Sequence, residues 1–443
     1  MERRDFLRLT GGLTGTALLT SCTGGPGGTP ASPVSAPRPM AAATPPAARH
    51  IVYADVSARL AAFDAGTGTT LFTADRPVPS ADWRRLYTVS PAGDLVTLDA
   101  LTGEATARTS VPRGLIPRVV SSLENAVALT PPPPATPYGR PGRTRTSVVV
   151  VAPDGGRKPR TVRLKGNFQP DGFTAVGDGL FLLQYLPAAA PESYKVKVYD
   201  LEHKALWPLS TRDKKPVPED AEETMRGDGR AAVLDPVQQR LYTLYTHQPD
   251  HLHTRDLLAG RGTGVHAFVH VLDLNQRWAY CLDLPEPFGR APAAGHTLTL
   301  SAGSLYVYED GQGTLVRAST ESLTIVDTAT IGASPAKGSS AASASAGTTA
   351  ASVFASSEGF VYLAAGPSLR AVDPHSLAVR REWRLPSPAR GAVVTPGGDG
   401  VYVGVTDGVL RFDGGKGGNG GGPAARLSIP GLTLLRHAAP ATT

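Results

Sequence analysis

Leu95-Val96-Thr97-Leu98-Asp99-Ala100-Leu101-Thr102-Gly103 alternates apolar and polar residues up to an aspartate and then breaks into a Thr-Gly turn. Alternation of period two marks a strand with one buried face, and an Asp placed before a small-residue turn is the side chain that bonds the turn's own amides. Just before it, Leu86-Tyr87-Thr88-Val89 forms a second apolar run with an aromatic. A strand pair of this kind cannot bury its apolar faces alone and needs neighbours of the same kind.

The pattern recurs along the chain. Ile51-Val52-Tyr53 precedes Ala61-Ala62-Phe63-Asp64, and further alternating strands end at Asp154, Asp200 and Asp273. The last three end at Leu323-Thr324-Ile325-Val326-Asp327, Leu369-Arg370-Ala371-Val372-Asp373 and Val409-Leu410-Arg411-Phe412-Asp413. Eight strand-ending aspartates imply eight units, or seven if one is an insertion. A repeat of roughly 35 to 75 residues suits one four-stranded propeller blade with variable loops. Short stretches between units, such as Gly172–Gly179, Ala231–Pro236 and Ala392–Gly400, read as the innermost strand of the next blade. Gly431-Leu432-Thr433-Leu434-Leu435-Arg436 supplies the strand missing from the first unit, a closure that removes the open sheet edge. The expected fold is therefore an all-β propeller over residues 50–437, followed by a disordered tail at 438–443. The aspartates themselves are read as turn residues.

The repeats also resemble known families. Gly400-Val401-Tyr402-Val403, with the strand ending at Asp413, resembles the YVTN-type propeller repeat, and Leu95–Gly103 resembles the pyrroloquinoline-quinone-type repeat. Both resemblances imply a propeller and little about chemistry, because the motifs are structural. Quinone-dependent dehydrogenases of the eight-bladed type use Trp at recurrent docking positions, a stacked cofactor in the channel and a Ca²⁺ site. Here Trp83, Trp207, Trp278 and Trp383 occupy no repeated position after Thr-Gly, and no two cysteines are adjacent, so no such cofactor is expected. No Gly-x-Ser-x-Gly elbow, nucleotide loop or Cys/His zinc spacing is present.

The amino terminus carries two addresses. Arg3-Arg4-Asp5-Phe6-Leu7-Arg8, followed by the weakly apolar Leu9–Leu19, resembles a twin-arginine export signal. Leu19-Thr20-Ser21-Cys22 resembles the lipobox of bacterial lipoproteins. The two together imply that residues 1–21 are removed and that Cys22 is lipidated, holding the protein on the extracytoplasmic face of the cell membrane. Two acyl chains suffice as an anchor, since each buried methylene contributes about 0.8 kcal/mol. The apolar stretch is too short and too rich in Gly and Thr to span a bilayer. Residues 22–49, rich in Pro, Gly and Ala, read as a disordered tether. Cys281 is the other cysteine, so the mature chain has no intramolecular disulfide. The formal charge of +6 is mild over 443 residues, and no Lys/Arg run is interleaved with aromatics, so no nucleic-acid partner is expected.

One segment departs from the repeat. His247-Gln248-Pro249-Asp250-His251-Leu252-His253-Thr254-Arg255-Asp256, with His266 and His270 beyond it, gathers five of the ten histidines. Neutral imidazole and ionised carboxylate are donors for Zn²⁺ and similar ions, so His247, Asp250, His251, His253, Asp256 and His266 form a candidate ligand or metal site, set against an ordinary polar loop. Pro249 argues against a helical pairing of His247 with His251, whereas His251 and His253 share a face if the chain is extended. The Pro- and Arg-rich loop at 131–145 is read as solvated and Ser339–Gly347 as low-complexity; the charged excursion Thr211–Glu223 has the composition of a short helix, with no function assigned. The expected function is a surface-anchored binding or scaffold module for a protein, peptide or glycan. The alternative is an extracytoplasmic enzyme, lactonase-like or metal-dependent, working from the channel or the His-rich loop. No cofactor other than a divalent metal is expected.

Overall fold

The computed structural model describes residues 8–9, 49–133, 138–226, 229–260, 262, 264–332, 353–356, 359–414 and 422–441. The twin arginines, Cys22, nearly all of the tether and the low-complexity Ser339–Gly347 lie outside them. The described chain is an eight-bladed β-propeller in which each blade is an antiparallel sheet of four strands.

Blade 1 pairs Leu432–Pro440 with His50–Val56, Arg59–Asp64 and Thr70–Asp75. The two ends of the chain thus close the ring in a single sheet. This last strand runs to Pro440, opposite His50, and takes in residues 438–440 that the sequence reading left to a tail. Blades 2, 3 and 4 start at Val78–Pro79, Ile116–Val120 and Asn167–Phe173. Blade 5 comprises Gly229–Asp235, Arg240–Thr246, Phe268–Asp273 and Trp278–Asp283, with Ser210–Thr211 added in parallel at its outer edge and Arg8–Leu9 at its inner edge. Blades 6, 7 and 8 start at His296–Ser301, Val353–Ser356 and Ala392–Val394. Around most of the ring the first strands of successive blades pack on one another, in agreement with their reading as innermost strands.

Apolar clusters lie between blades, and their order closes the ring. Ile51, Tyr53, Trp83 and Leu86 join blades 1 and 2, while Val52, Phe63, Tyr402 and Leu435 join blades 8 and 1. Tyrosines of the second strands lock the same interfaces with their hydroxyls. Tyr53 donates to Ala100 O of blade 2 at 2.6 Å, Tyr87 to Glu124 of blade 3 at 2.5 Å, and Tyr306 to Pro374 O of blade 7 at 2.9 Å. Tyr402 meets His50 Nδ1 of blade 1 at 2.9 Å. A buried phenol needs such a partner, which accounts for Tyr rather than Phe at these positions.

The repeated aspartates act as turn caps in six of the eight units. Asp64, Asp99, Asp200, Asp273 and Asp373 each accept two turn amides, and Asp154 accepts one. Asp327 and Asp413 depart from the pattern. In blade 6 the third strand is Thr314–Ser319, and Ser319 Oγ caps the turn through the amides of Glu321 and Ser322. Asp327 lies on the outer strand Ile325–Thr330, paired with Arg317. Asp413 ends its strand but bonds Arg411.

The interface between blades 4 and 5 differs from the others, because its apolar packing is split. One cluster holds Leu183, Tyr194, Met225, Phe268 and Cys281, and another holds Phe181, Val198, Leu234 and Leu272.

Candidate metal centre

Two excursions meet over that split interface. The first is the linker from blade 4 to blade 5. It runs along the outer strand of blade 5 at Ser210–Thr211, makes a 3-10 turn at Glu219–Ala221 and bridges back to Tyr194 of blade 4 through Met225. The second is the loop between the second and third strands of blade 5, residues 247–267. Its legs are clamped by reciprocal backbone bonds between His251 and Val265 at 3.1 and 3.0 Å. Gly264 permits this closure, since a Cβ there would lie 2.2 Å from the carbonyl carbon of Asp250.

The loop presents His251 and His253 and then turns into the short helix Thr254–Leu258. Asp256 accepts the His253 amide at 3.2 Å, fixing the backbone where the second imidazole leaves it. Both rings rest on Phe268, His251 stacked at 4.4 Å and His253 edge-on at 4.8 Å. The linker supplies Glu223. Its Oε1 accepts the Thr254 amide at 3.0 Å, while its Oε2 faces His251 Nε2 at 3.6 Å and His253 Nδ1 at 3.5 Å. The two imidazoles are 4% and 1% exposed, and neither of those nitrogens has a hydrogen-bond partner. Three donor atoms, one from each of Glu223, His251 and His253, lie within 4.8 Å of one another.

An outer ring of groups sets the orientation. His253 Nε2 meets Asp283 Oδ1 at 2.7 Å, so Nδ1, which faces Glu223, is the nitrogen that an ion would take on displacing its proton. Arg255 holds Asp283 at 2.6 Å and donates to the Cys281 carbonyl at 2.7 Å. Burial opposes charge on His253, but Asp283 and Glu223 outweigh it and raise its pKa to about 9. Burial likewise opposes charge on Glu223, yet His251 and His253 hold its carboxyl well below the ordinary range. His270, on the third strand, faces the same region, and burial lowers it to about 4. A cavity of about 50 Å³ adjoins the group, lined in part by Glu223, Thr254 and His270.

Of the six candidate residues named from sequence, the fold brings His251 and His253 together and leaves the other four apart. His247 takes a left-handed backbone, bonds Thr246 Oγ1 at 2.8 Å and lies against His296 of blade 6. Asp250 is also left-handed, at the base of the loop beside the clamp, Asp256 caps the helix, and His266 offers its carbonyl to Gln248 N. Sequence reasoning missed Glu223, Asp283 and Cys281. Glu223 closes the excursion to which no function was assigned, and nothing in its neighbours marks it.

No protein-family model matches the chain, and no curated protein matches it in sequence. Among solved structures it is similar to apo AztD from Citrobacter koseri, with 12% identity and a TM-score of 0.52 over 88% of this chain and 97% of that one. It is also similar to the dihydro-heme d1 dehydrogenase NirN in complex with DHE, with 14% identity and a TM-score of 0.46 over 91% of this chain and 77% of that one. At these identities the likeness is one of fold alone.

Proposed function

We propose that this protein is a lipid-anchored, extracytoplasmic propeller that works as a binding module, and that its wedge between blades 4 and 5 takes up a divalent transition metal of the zinc class. The observation that carries the metal reading is the pair of buried imidazole nitrogens without hydrogen bonds, both aimed at one carboxylate oxygen. Each nitrogen stands 3.5–3.6 Å from Glu223 Oε2, too far for a good hydrogen bond, and an ion at this point gives all three atoms a direct bond in exchange for the proton that His253 holds. Two of the three separations suit the ion. With Zn–N and Zn–O bonds of about 2.0–2.1 Å, the edge of a regular tetrahedron is about 3.3 Å, close to the 3.5 and 3.6 Å between Glu223 Oε2 and the two nitrogens. Imidazole and carboxylate without thioether favour Zn²⁺ or Co²⁺ over Cu⁺. The adjoining cavity of about 50 Å³ has room for several waters, since about 10–15 Å³ suffices for one.

Thermal unfolding of the full chain in detergent tests the metal reading. An ion that binds the folded state alone stabilises by about 2.7 kcal/mol at a hundredfold excess over Kd. Zinc is expected to raise Tm, a chelator to reverse the rise, and Glu223→Gln or His251→Ala to abolish it. Equal Tm with zinc and with chelator in the parent protein would reject the site. The anchor is tested separately with a labelled fatty acid, which should enter the parent protein and not Cys22→Ser.

A further inference from the structure

We propose that Cys281 is the fourth ligand of this centre, closing a Glu-His-His-Cys tetrahedron; the proposal rests on the metal reading above. Cys281 lies on the fourth strand of blade 5, opposite His270 in register, and its side chain is turned inward at 3% exposure. Its Sγ donates to Glu223 Oε2 at 3.0 Å, the same oxygen that both imidazole nitrogens face. It packs in the apolar cluster that contains Phe268, the ring on which both histidines rest. Arg255 binds the Cys281 carbonyl and Asp283 at once, so the outer groups that orient His253 also hold the backbone of the cysteine.

Glu223 Oε2, His251 Nε2 and His253 Nδ1 lie within 4.8 Å of one another, and Cys281 Sγ borders this group through Glu223 Oε2 without itself lying that close to all three. With a Zn–S bond of about 2.3 Å the edges from sulfur to the other donors are about 3.5 Å, so binding breaks the thiol hydrogen bond to Glu223 and swings Sγ toward the two imidazole nitrogens. On binding, the S–H bond breaks, the sulfur lone pair goes to the ion and the proton leaves to the buffer; nothing is oxidised or reduced. A site closed by four protein ligands is a structural one. The ion would then staple the linker of residues 209–226 to blade 5, where the apolar packing is divided. The competing arrangement places a water from the adjoining cavity in the fourth position.

Cobalt substitution separates the outcomes. The full chain, purified in detergent, is titrated with Co²⁺ and its absorption recorded, together with zinc affinity by competition with a chelating dye. Four-coordinate cobalt gives visible ligand-field bands whatever its fourth ligand, and a thiolate adds a sulfur-to-metal charge-transfer band in the near ultraviolet. The expected result is both features in the parent protein and in Cys22→Ser. The charge-transfer band alone should vanish in Cys281→Ala and Cys281→Ser, with zinc affinity falling more than about tenfold, the lower edge of what loss of an outer-shell partner costs. Comparing the metal-free Tm of the two Cys281 variants with that of the parent shows whether either is unfolded. Ligand-field bands without charge transfer, and unchanged affinity in the variants, would overturn the role of Cys281 and leave the three-residue centre standing. Absence of both features would overturn the centre itself.

Discussion

Asp283 touches no ion in this arrangement, yet it decides which nitrogen of His253 is available. It takes Nε2 at 2.7 Å and is itself held by Arg255. Asp283→Asn removes the charge that raises the basicity of the ring, and zinc affinity should fall about 10- to 100-fold, as loss of a second carboxylate behind a ligating imidazole does; isothermal titration reads the change. The repeated aspartates allow a second comparison at the same scale. Asp99 Oδ1 accepts the amides of Leu101 and Thr102, both at 2.9 Å. Asp99→Ala should cost on the order of 1–2 kcal/mol in urea unfolding, since each bond contributes about 1 kcal/mol. Asp327 makes only a surface ion pair with Arg317, so Asp327→Ala should stay within about 1 kcal/mol. A larger loss at Asp327 than at Asp99 would mean that blade 6 is phased as the repeat suggested, with Asp327 and not Ser319 as its turn cap.

The element that closes the ring is the last strand, Leu432–Pro440, which pairs with His50–Val56. Leu432 and Leu435 point into the cluster between blades 8 and 1, both essentially buried. Gly391 accommodates the strand. It has φ of +105°, and a Cβ there would lie 2.3 Å from the Leu435 carbonyl oxygen. Leu435→Ala should therefore cost about 2–5 kcal/mol, the usual range for a buried leucine, read from denaturant midpoints at constant m. Leu258→Ala, at the exposed end of the short helix, should change stability by less than about 0.5 kcal/mol. Deleting residues 432–443 exposes the edge of blade 1 and should convert a single cooperative transition into aggregation, because unpaired edges recruit other chains.

Across the whole molecule the buried histidines set the acid limit. His437 is stacked on Trp83 at 4.6 Å, and burial lowers its pKa to about 4. Burial does the same to His296 and His270, each to about 4. In the unfolded chain these rings take a proton near pH 6.5, whereas in the folded protein they stay neutral down to about 4. Acidification through that window therefore favours the unfolded state. Each contributes on the order of 3 kcal/mol that is present above pH 6.5 and lost by pH 4. His253 has the opposite sign: its folded pKa near 9 contributes stability present below pH 6.5 and lost as pH rises to 9. The metal-free protein should show its highest Tm near neutral pH and fall on both sides. His437→Phe keeps the stacking and should make the acid limb shallower; an unchanged limb would exclude His437 as a source of it.

The sequence alone determined the repeat, the strand type and the closure of the ring by the C-terminal strand. Each follows from patterns that local geometry imposes: alternation of period two, an acceptor before each turn, and an apolar strand left over at the end. Its phase failed at Leu323–Asp327, because an outer strand alternates as a third strand does. Only the packed blade reveals that half of its residues face solvent. The His-rich loop was legible as a concentration of imidazoles, but which of them converge was not. His251 and His253 share a face because the loop is extended there, a local property. Glu223, Asp283 and Cys281 join them only because the linker folds back over the wedge between blades 4 and 5 and because strand pairing sets Cys281 opposite His270. No period connects those positions along the chain, so the donor set is a product of tertiary structure.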